Sequence, residues 1–460
     1  MFDLAILGGG PAGYVAAERA GAAGLKTVLF EKKALGGVCL NEGCIPTKTL
    51  LYSAKLYHYT QEGKRYGVIA RDAAYSYAEF LKRKEKVVRK LVAGVKAAVR
   101  NAGVQLVQES AVIRGRGEGG FVISAGEEEY LAGKLLVCTG SEAFVPPFPG
   151  LSEAGDIIVT NREILALEER PEELVVIGGG VIGMEFAAFF STLGTKVTVV
   201  EMLPKILGPM DGEISAMLQK IYTRRGISFR LGCKVTGIER NTVVYESPEG
   251  EICRVSGDRI LVSVGRRAVL DGYGLETLGV ETGKGIKVDD RMRTGVPGVW
   301  AAGDVTGFSM LAHTASREAE VAVNDMLGKD DRMRYDAIPG IVYTNPEVAG
   351  VGLTEEQAGP GHEVLSLPMT YSGRFVAEND GIEGLCKLIV EKDSGKVVGA
   401  HMLGNPCSEI IQGICIAIES GMTADRLRKV VFPHPTVSEI IKETAWQAGG
   451  NLGHEPEIAG

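Results

Sequence analysis

Two cysteines five residues apart, Cys39 and Cys44, are the side chains of this sequence best suited to chemistry. They lie in the glycine-flanked stretch GGVCLNEGC and could form a structural disulfide, half of a metal site or a redox pair. Structural zinc needs four ligands, and no second pair of Cys or His lies as close in the sequence. The other six cysteines are scattered in apolar stretches and are expected to be small buried residues. A close pair in a reducing cytosol is more often catalytic than structural, so the residues favour a redox dithiol.

Helix geometry constrains how this pair could bond. Residues five apart in a regular helix are separated by roughly 8.6 Å between Cα atoms, whereas a disulfide needs about 4.4–6.8 Å. The intervening LNEG is therefore predicted to form a turn or a deformed helical turn, which Gly43 permits. A regular helix is expected from Cys44, with Pro46 allowed in its first turn.

The thiolate is the reactive form of a dithiol, and nearby groups could stabilise or generate it. Lys48 lies one helical turn after Cys44, and a cation together with a helix N-terminus lowers a cysteine pKa. Histidine is the base best suited to neutral pH. Among six histidines, His434 in FPHPTVSE is the best candidate, because Glu439 could hydrogen-bond its ring and fix the tautomer.

An internal repeat predicts the elements that position these side chains. Residues 3–32 and 173–202 each contain an apolar strand, G-x-G-x-x-G, an alanine-rich helix and a second strand ending in an acidic residue. In this context the pattern predicts dinucleotide binding. The three glycines allow a tight turn, approach of the pyrophosphate and close helix–strand packing. They are Gly8, Gly10 and Gly13 in the first unit and Gly178, Gly180 and Gly183 in the second.

Glu31 and Glu201 end the second strand of each unit, eighteen residues after the third glycine. Each is expected to accept a hydrogen bond from a ribose 2′-hydroxyl. A carboxylate repels a 2′-phosphate, for which such sites supply Arg, and MLPKIL after Glu201 contains no Arg. The second unit is therefore predicted to bind NAD and not NADP.

Strands of the same dinucleotide-binding units are also predicted in three further stretches, LLVCTGS, RILVSVGRR and GVPGVWAAGDV. The last of them ends on Gly303 and Asp304. A carboxylate just beyond the C-terminal end of a strand lies where doubly wound sheets bind ligands. Asp304 could equally be a helix N-cap, and this stretch alone leaves the two interpretations even.

Length and composition limit the classes of protein to which the chain could belong. The chain has 460 residues, 62 of them glycine, and a net charge of −8. Its length suggests about three domains, and its acidic charge argues against a general nucleic-acid binder. The basic run KRKEKVVRK is interpreted as the solvated face of an amphipathic helix. Neither a basic leader region nor an apolar run of about 18 residues occurs, so a cytoplasmic protein is expected.

Six stretches of the chain are GGGPAGYVAAERA, GGVCLNEGCIPTK, GGGVIGMEFA, VGRR, VWAAGDV and FPHPTVSE. Together they resemble the disulfide-reductase flavoproteins, class I of the pyridine nucleotide-disulfide oxidoreductases. The resemblance covers nearly all of the chain and is strongest to the branch that oxidises dihydrolipoamide. It implies an α/β fold with two Rossmann-like dinucleotide-binding domains, a central domain and a C-terminal α+β interface domain. The corresponding ranges are 1–143 for FAD, 144–266 for NAD, 267–335 for the central domain that completes the FAD site, and 336–460 for the interface domain.

The same resemblance implies roles for the candidate residues. Cys44 corresponds to the thiol that contacts the flavin, and Cys39 to the thiol that exchanges with substrate. Lys48 corresponds to a lysine near the flavin that pairs with a glutamate on the second fingerprint helix, here Glu185. The His434–Glu439 pair is implied to serve the partner subunit of a homodimer, and the His434-Pro435 bond to be cis. No metal is expected.

The resemblance also implies which residues contact the cofactors. For FAD these are Gly8, Gly10, Pro11, Ala12, Gly13, Glu31, Lys32, Gly37, Val38, Lys48, Thr139, Gly140, Ser141, Gly303, Asp304, Met310, Leu311, Ala312 and His313. For NAD they are Gly178, Gly180, Val181, Ile182, Gly183, Glu201, Val264 and Gly265. Val38 stands where the family usually has Thr near FAD, and Glu18 stands where relatives have an apolar residue. These departures bear on FAD affinity and on charge near the substrate channel.

The implied activity is FAD-dependent oxidation of protein-bound dihydrolipoamide to lipoamide, with reduction of NAD⁺ through Cys39 and Cys44. The implied partner is a lipoyl-bearing carrier of a 2-oxo acid dehydrogenase complex or of the glycine cleavage system. The alternative is another NAD(P)H-dependent flavoprotein disulfide reductase. Glutathione-type enzymes usually use NADPH, which Glu201 argues against, and mercuric reductases carry a further cysteine pair, whereas no Cys follows Cys415. A non-catalytic scaffolding subunit is disfavoured by the intact candidate set.

Overall fold

The computed structural model describes residues 1–379 and 381–450, so residues 451–460 of the predicted interface domain lie outside the described residues. Its first part is a nucleotide-binding unit with three helices inserted after the second strand. The elements are β1 Phe2–Leu7, α1 Pro11–Ala22, β2 Thr27–Phe30, α2 Gly37–Glu42, α3 Cys44–Glu62, α4 Tyr77–Asn101, β3 Gln105–Val107, β4 Ala111–Gly117, β5 Gly120–Ala125, β6 Glu128–Val137 and β7 Ser141–Ala143. The sheet order is β3-β2-β1-β6-β5-β4.

A second nucleotide-binding unit repeats this plan. Its elements are α5 Leu151–Ala154, β8 Ile158–Val159, α6 Asn161–Leu165, β9 Glu173–Ile177, α7 Val181–Thr192, β10 Lys196–Val200, α8 Gly212–Arg224, β11 Ser228–Arg230, β12 Lys234–Glu239, β13 Thr242–Glu246, β14 Ile252–Ser256, β15 Arg259–Val262 and β16 Arg266–Ala268. The parallel sheet has the order β11-β10-β9-β15-β8, and β12, β13 and β14 form an antiparallel meander. The antiparallel ribbon of β7 and β16 links the two units.

The remaining chain returns to the first unit and then forms a separate sheet. Its elements are β17 Val299–Ala301, α9 Ala312–Met326, β18 Gly340–Val342, β19 Val348–Gly352, β20 His362–Pro368, α10 Gly373–Glu378, β21 Leu385–Glu391, β22 Val397–Leu403, α11 Cys407–Glu419, α12 Ala424–Leu427 and α13 Glu439–Ala445. The antiparallel sheet has the order β18-β19-β22-β21-β20. Strand β17 pairs in parallel with β6, so the Gly303–Asp304 turn reaches the same sheet edge as the glycine loop after β1.

Burial explains why these segments form these elements. Strand β1 has Leu4, Ala5 and Ile6 fully buried, because α1 and α9 cover one face of the sheet and residues of β4 and β5 pack against the other. Helix α1 presents Ala12, Ala16, Ala17 and Ala20 to the core. The small side chains let α1 pack closely against α9, with Ala315 and Ala319 in the same apolar cluster. The basic segment forms one long helix, α4, as predicted.

The observed architecture confirms the predicted fold class of two Rossmann-like units with further α/β parts. No helix within the described residues is long and apolar enough to cross a membrane.

Candidate redox and nucleotide-binding site

The two cysteines lie on either side of a break between two helices. Helix α2 ends at Glu42 and α3 begins at Cys44, with Gly43 between them at φ −149° and ψ −108°. A Cβ at Gly43 would lie 3.0 Å from the carbonyl oxygen of Val38, so the turn is tight. The break replaces the regular helix in which the two cysteines could not have met, and all eight cysteines are free thiols in the structure. The thiol of Cys39 donates a hydrogen bond to the Cys44 sulfur.

That hydrogen bond gives the two sulfurs different acidities. It is the largest cause that lowers the pKa of Cys44, to about 7. Burial opposes this shift, while the positive charge of Lys48 supports it. The pKa of Cys39 is raised well above its ordinary value, first because its proton is held by Cys44 and then because it is buried. Cys44 is therefore the more acidic of the two thiols, and Lys48 favours its thiolate form.

Lys48 pairs with a carboxylate from the second nucleotide-binding unit. Its Nζ lies 2.9 and 2.8 Å from the two carboxylate oxygens of Glu185. The Glu185 side chain is only 3% exposed, and it also accepts a hydrogen bond from the Tyr343 backbone N–H at 3.0 Å. The Lys48 ammonium additionally lies 4.6 Å from the centre of the Tyr343 ring. The structure thus brings Cys39, Cys44, Lys48 and Glu185 together in one chain.

His434 and Glu439 form a separate pair near the start of α13. His434 Nδ1 lies 2.9 Å from Glu439 Oε1, so Nδ1–H donates to the carboxylate and Nε2 remains an acceptor. The pKa of Glu439 is lowered, first by the Thr436 backbone N–H and then by His434. The His434 side chain is 79% exposed, and the His434-Pro435 peptide bond is cis. The imidazole is therefore oriented and open to a group outside its own chain.

The two glycine loops have nearly identical geometry. Gly8 and Gly178 adopt φ values of 101° and 102°, and a Cβ at either would lie 2.2 or 2.6 Å from a backbone oxygen of the neighbouring strand segment. A Cβ at Gly13 or Gly183 would lie 1.8 or 2.0 Å from the oxygen of the first glycine in its loop. Only glycine fits these four positions, so both loops have the shape that a dinucleotide pyrophosphate requires.

The loops also present backbone N–H groups that could bind phosphate. Gly10 and Gly180 cap α1 and α7 without a side-chain hydrogen bond, so backbone N–H groups at these helix N-termini suit an anion. A Cβ at Gly180 would meet nothing within 4 Å in the described structure. In the first unit Gly37 approaches from the opposite side, where its Cβ would lie 2.7 Å from the Gly10 Cα. The residues present at each loop fit the pyrophosphate of a dinucleotide such as FAD or NAD.

Glu31 and Glu201 occupy matching positions. Glu31 accepts from the N–H of Gly9 at 2.8 Å and of Lys33 at 2.7 Å. Glu201 accepts from the N–H of Gly179 at 2.6 Å and of Leu203 at 2.7 Å. Each carboxylate oxygen has a second lone pair, so both residues retain acceptor capacity for a ribose hydroxyl.

Asp304 lies at the edge of the first sheet, in contact with Ser141. It is not a side-chain helix cap, because Gly303 holds the N-cap position of the short 3₁₀ helix Asp304–Thr306. The Ser141 hydroxyl donates to the Asp304 carboxylate, and Arg266 Nε donates to the Ser141 hydroxyl at 2.8 Å. Burial raises the pKa of Asp304, whereas Ser141 and Arg266 oppose the rise. Arg266 was not predicted from sequence as a site residue.

Two of the other predicted cofactor residues make side-chain hydrogen bonds within the chain. Thr139 Oγ1 donates to the Val269 carbonyl at 3.0 Å, and His313 Nε2 lies 2.9 Å from the Pro339 carbonyl. The remaining residues lie at helix starts or turns, namely Pro11, Ala12, Lys32, Val38, Gly140, Val181, Ile182, Val264, Gly265, Met310, Leu311 and Ala312.

Tyr14, on α1, lies close to the dithiol and was not predicted from sequence as a neighbour of the site. Its pKa is raised by burial and then by its neighbours Cys39, Glu18 and Cys44. Glu18 therefore lies near this region, and burial raises its own pKa. The one-turn spacing from Gly10 to Tyr14 is the signal that could have identified Tyr14, since α1 begins at the phosphate loop.

Two dinucleotide loops together with a dithiol of unequal acidities define a class of protein, a nucleotide-dependent thiol–disulfide oxidoreductase. Residues 2–319 match the family described as pyridine nucleotide-disulphide oxidoreductase, and residues 338–445 match its dimerisation domain. The chain belongs to the pyridine nucleotide-disulphide oxidoreductase family.

Individual relatives are similar over the whole chain. The dihydrolipoyl dehydrogenase of Chlorobaculum tepidum is 38% identical, with 98% of this chain and 98% of that protein covered. The mitochondrial dihydrolipoyl dehydrogenase of Pisum sativum is 38% identical, with 96% and 90% covered. Among solved structures, LpdA from Mycobacterium tuberculosis has a TM-score of 0.88 at 26% identity, with 97% and 99% covered. The HOCl-induced flavoprotein disulfide reductase RclA from Escherichia coli has a TM-score of 0.84 at 26% identity, with 97% and 100% covered.

These comparisons confirm the predicted family, the assignment as an oxidoreductase, and FAD and NAD as its cofactors. The dimerisation domain supports a homodimer.

Proposed function

We propose that the chain is a dihydrolipoamide-oxidising flavoenzyme that transfers electrons from protein-bound dihydrolipoamide to NAD⁺. The observation that carries this proposal is the pairing of Cys39 and Cys44 across the Gly43 break, with the lower pKa at Cys44. Similarity to dihydrolipoyl dehydrogenases over 98% of the chain supports the choice of substrate.

The cysteine pair carries out thiol–disulfide exchange with the substrate. In the oxidised enzyme Cys39 and Cys44 are joined, and a substrate thiolate attacks the Cys39 sulfur. This step forms a mixed disulfide and releases Cys44 as a thiolate, which the positive charge of Lys48 stabilises. The second substrate thiol then attacks the substrate sulfur of the mixed disulfide, which yields lipoamide and leaves Cys39 to take a proton. Two electrons have passed from the substrate to the cysteine pair.

His434 accepts the proton of the first substrate thiol, delivers it to Cys39 as that thiolate leaves, and accepts the proton of the second thiol. Its Nδ1–H donates to Glu439 at 2.9 Å, which leaves Nε2 as the free acceptor. Because the imidazole is 79% exposed in its own chain, the proposal assigns it to the dithiol of the partner subunit. Residues 336–460 would then form the dimer interface, after an FAD domain at 1–143, an NAD domain at 144–266 and a central domain at 267–335.

Bound FAD would supply the redox chemistry that links the dithiol to NAD⁺. The Gly8–Gly13 loop, Glu31 and Asp304 would hold FAD, and the Gly178–Gly183 loop and Glu201 would hold NAD. Lys48 keeps positive charge beside Cys44, and Glu185 fixes the position of the Lys48 ammonium.

The proposed partner is a lipoyl-bearing carrier protein, and the proposed location is the cytoplasm, where free thiols persist. The substrate thiols arrive on a carrier because a 2-oxo acid dehydrogenase complex or a glycine cleavage system supplies reduced lipoyl groups.

A direct assay tests the activity. The purified holoenzyme is mixed with dihydrolipoamide and NAD⁺, and NADH absorbance is followed, with NADP⁺ in a parallel reaction. Turnover with NAD⁺ is expected, together with its loss in Cys39→Ser and its retention in the matched control Cys253→Ser. Absence of turnover, alongside reduction of a different disulfide by NADPH, would replace the proposal with another reductase of the family.

Mixed dimers test the shared site. Cys39→Ser and His434→Gln subunits are each inactive as homodimers under the proposal. When equal amounts of the two subunits associate at random, half of the dimers are mixed, and each mixed dimer has one intact site out of two. About one quarter of the wild-type activity per chain is therefore expected. If no activity returns although mass measurements detect mixed dimers, the assignment of His434 to the partner's dithiol is wrong.

A further inference from the structure

A buried carboxylate without an assigned role lies behind the Gly303–Asp304 turn. Glu318, on α9, is 0% exposed. Its Oε2 accepts a hydrogen bond from the Gly303 backbone N–H at 2.6 Å, and its Oε1 accepts one from the Tyr335 hydroxyl at 2.8 Å. Both carboxylate oxygens are therefore directed at specific partners.

The turn that Glu318 contacts depends on this support. Gly303 adopts φ 84° and ψ −162°, a region that suits glycine. A Cβ at this position would lie 3.1 Å from the Ala12 Cβ and 3.4 Å from the Ala315 Cβ. The turn is thus enclosed between α1 and α9, and Glu318 satisfies an N–H that would otherwise be buried without an acceptor.

The next residue in the turn faces a different set of partners. The Asp304 carboxylate accepts from the Ser141 hydroxyl, which itself accepts from Arg266 Nε at 2.8 Å. Because Gly303 and Asp304 are consecutive, the hydrogen bond to the Gly303 N–H restrains the turn from which the Asp304 side chain leaves the backbone.

Tyr335 extends the contact to the predicted cofactor loop. Its ring centre lies 4.3 Å from that of Phe308, two residues before Met310, while its hydroxyl donates to Glu318. One carboxylate therefore connects the Asp304 turn, the α9 helix and the loop that leads into α9. All three contain residues predicted to contact FAD.

The electrostatics of the position argue against a simple ion pair. The ionisable groups facing Glu318 are Tyr335 and Asp304, together with Cys138 at the end of β6. None of these three is a cation. A buried carboxylate without a cationic partner is costly, and burial raises the pKa of Glu318 to about 7. Two directed hydrogen bonds explain this placement better than charge pairing does.

We propose that Glu318 is a positioning residue of the FAD site, which orients Asp304 through the Gly303 N–H and is itself oriented by Tyr335. This inference rests on the use of FAD in the proposed function. A purely structural role would stabilise α9 and the turn equally with and without cofactor, whereas a positioning role changes FAD affinity through Asp304.

The test measures FAD dissociation from the holoenzyme by the recovery of flavin fluorescence on dilution. Glu318→Ala removes both acceptors, and a buried N–H left unsatisfied corresponds to about a 5- to 100-fold rise in the FAD dissociation constant. Tyr335→Phe removes one hydrogen bond and should raise it about fivefold. Glu318→Gln retains an acceptor for Gly303 and should restore affinity to near wild type. Glu320→Ala, on the same helix with its carboxylate on surface arginines, is the matched control and should bind FAD normally.

A double-mutant cycle separates positioning from stability. In an Asp304→Asn background, the effect of Glu318→Ala on FAD affinity should shrink to less than about twofold, since coupled sites are non-additive. Unchanged FAD affinity in Glu318→Ala, or full additivity with Asp304→Asn, would overturn the inference. If Glu318→Ala does not fold, Tyr335→Phe decides: wild-type affinity there overturns the inference equally. Wild-type protein that binds no FAD would instead contradict the proposed function.

Discussion

Replacing Lys48 by Met tests how the second nucleotide-binding unit controls the dithiol. The substitution removes the ammonium that lies 2.8 Å from Glu185 and that helps to lower the Cys44 pKa. It leaves Glu185 buried, with the Tyr343 N–H as its remaining donor in the described structure. Two separate effects are therefore expected, one on stability and one on the acidity of Cys44.

The stability effect follows from burial. Removing one partner of a buried ion pair costs about 3–5 kcal/mol. The Lys48 side chain is 30% exposed and Glu185 only 3%, so water can partly replace the ammonium, and about 2–3 kcal/mol is expected. The double variant Lys48→Met/Glu185→Gln leaves no stranded charge and should recover most of this loss.

The acidity effect has a definite sign. Lys48 lowers the pKa of Cys44 and Glu185 raises it, so loss of the cation alone moves the pKa upward from about 7. A rise of one unit would reduce the thiolate at pH 7 from about one half to about one tenth. The double variant should give an intermediate pKa, since both opposing charges are removed.

The assay is a pH titration of the long-wavelength thiolate–flavin absorption in the reduced holoenzyme, combined with chemical denaturation. Lys55→Met is the matched control, because Lys55 lies on the same helix and pairs with Glu347 at 3.6 Å. This control should leave the Cys44 titration unchanged. A Lys48→Met protein with an unaltered titration and a stability loss below about 0.5 kcal/mol would refute the reasoning.

Three further predictions concern other parts of the site. Glu201→Ala should raise the KM for NAD⁺ about tenfold and weaken discrimination against NADP⁺, because a ribose hydroxyl loses its acceptor; steady-state kinetics with both nucleotides measure this, and an unchanged KM ratio would contradict it. His434→Gln should reduce kcat by about 10²–10⁴-fold as expected for loss of a general base, with Glu439→Gln reducing it less; equal effects of the two would argue that the pair acts only as a unit. Glu318 has a folded pKa of about 7 against an ordinary 4.5, so its contribution to stability falls as pH rises from about 4.5 to 7 and is constant above that. Denaturation across this range should show a loss of about 3 kcal/mol in wild type relative to Glu318→Gln, and parallel pH profiles would exclude the shift.

Local patterns explain what the sequence predicted well. The glycine loops and their acidic residues follow from steric rules at fixed spacing, and the structure reproduces them in both units. The break between Cys39 and Cys44 followed from the length of a disulfide compared with a helical repeat, and Gly43 is where it occurs.

Contacts between distant segments could not be predicted in this way. Glu318 follows Arg317 and precedes Glu320 by two residues on an amphipathic helix, where it reads as one more charged surface residue. Glu318 is fully buried because α9 packs on α1, a contact that the local sequence does not predict. Arg266 similarly reaches Ser141, which lies 125 residues earlier in the chain.

Lys387 is a second buried charged residue, and its sequence context indicates the burial. It lies in the strand LCKLIVE, whose other residues before the final Glu391 are apolar, and is 1% exposed. Its Nζ lies 3.0 Å from the buried Asp211 carboxylate and 2.8 Å from Glu213. A lysine within a continuous apolar strand requires a buried partner, but the identity of that partner depends on how α8 packs against β21.

The near-identity of the two glycine loops has a consequence for ligand recognition. With first-glycine φ values of 101° and 102° and equivalent carboxylate contacts, the two loops offer similar backbone and ribose-binding groups to the adenosine half that FAD and NAD share, although Gly37 packs close to Gly10 in the first. The chain therefore distinguishes its cofactors by their other halves, flavin and nicotinamide, and by the elements that receive those rings. Adenylate fragments should show little preference between the two loops, so selective inhibitors need to reach beyond the adenosine.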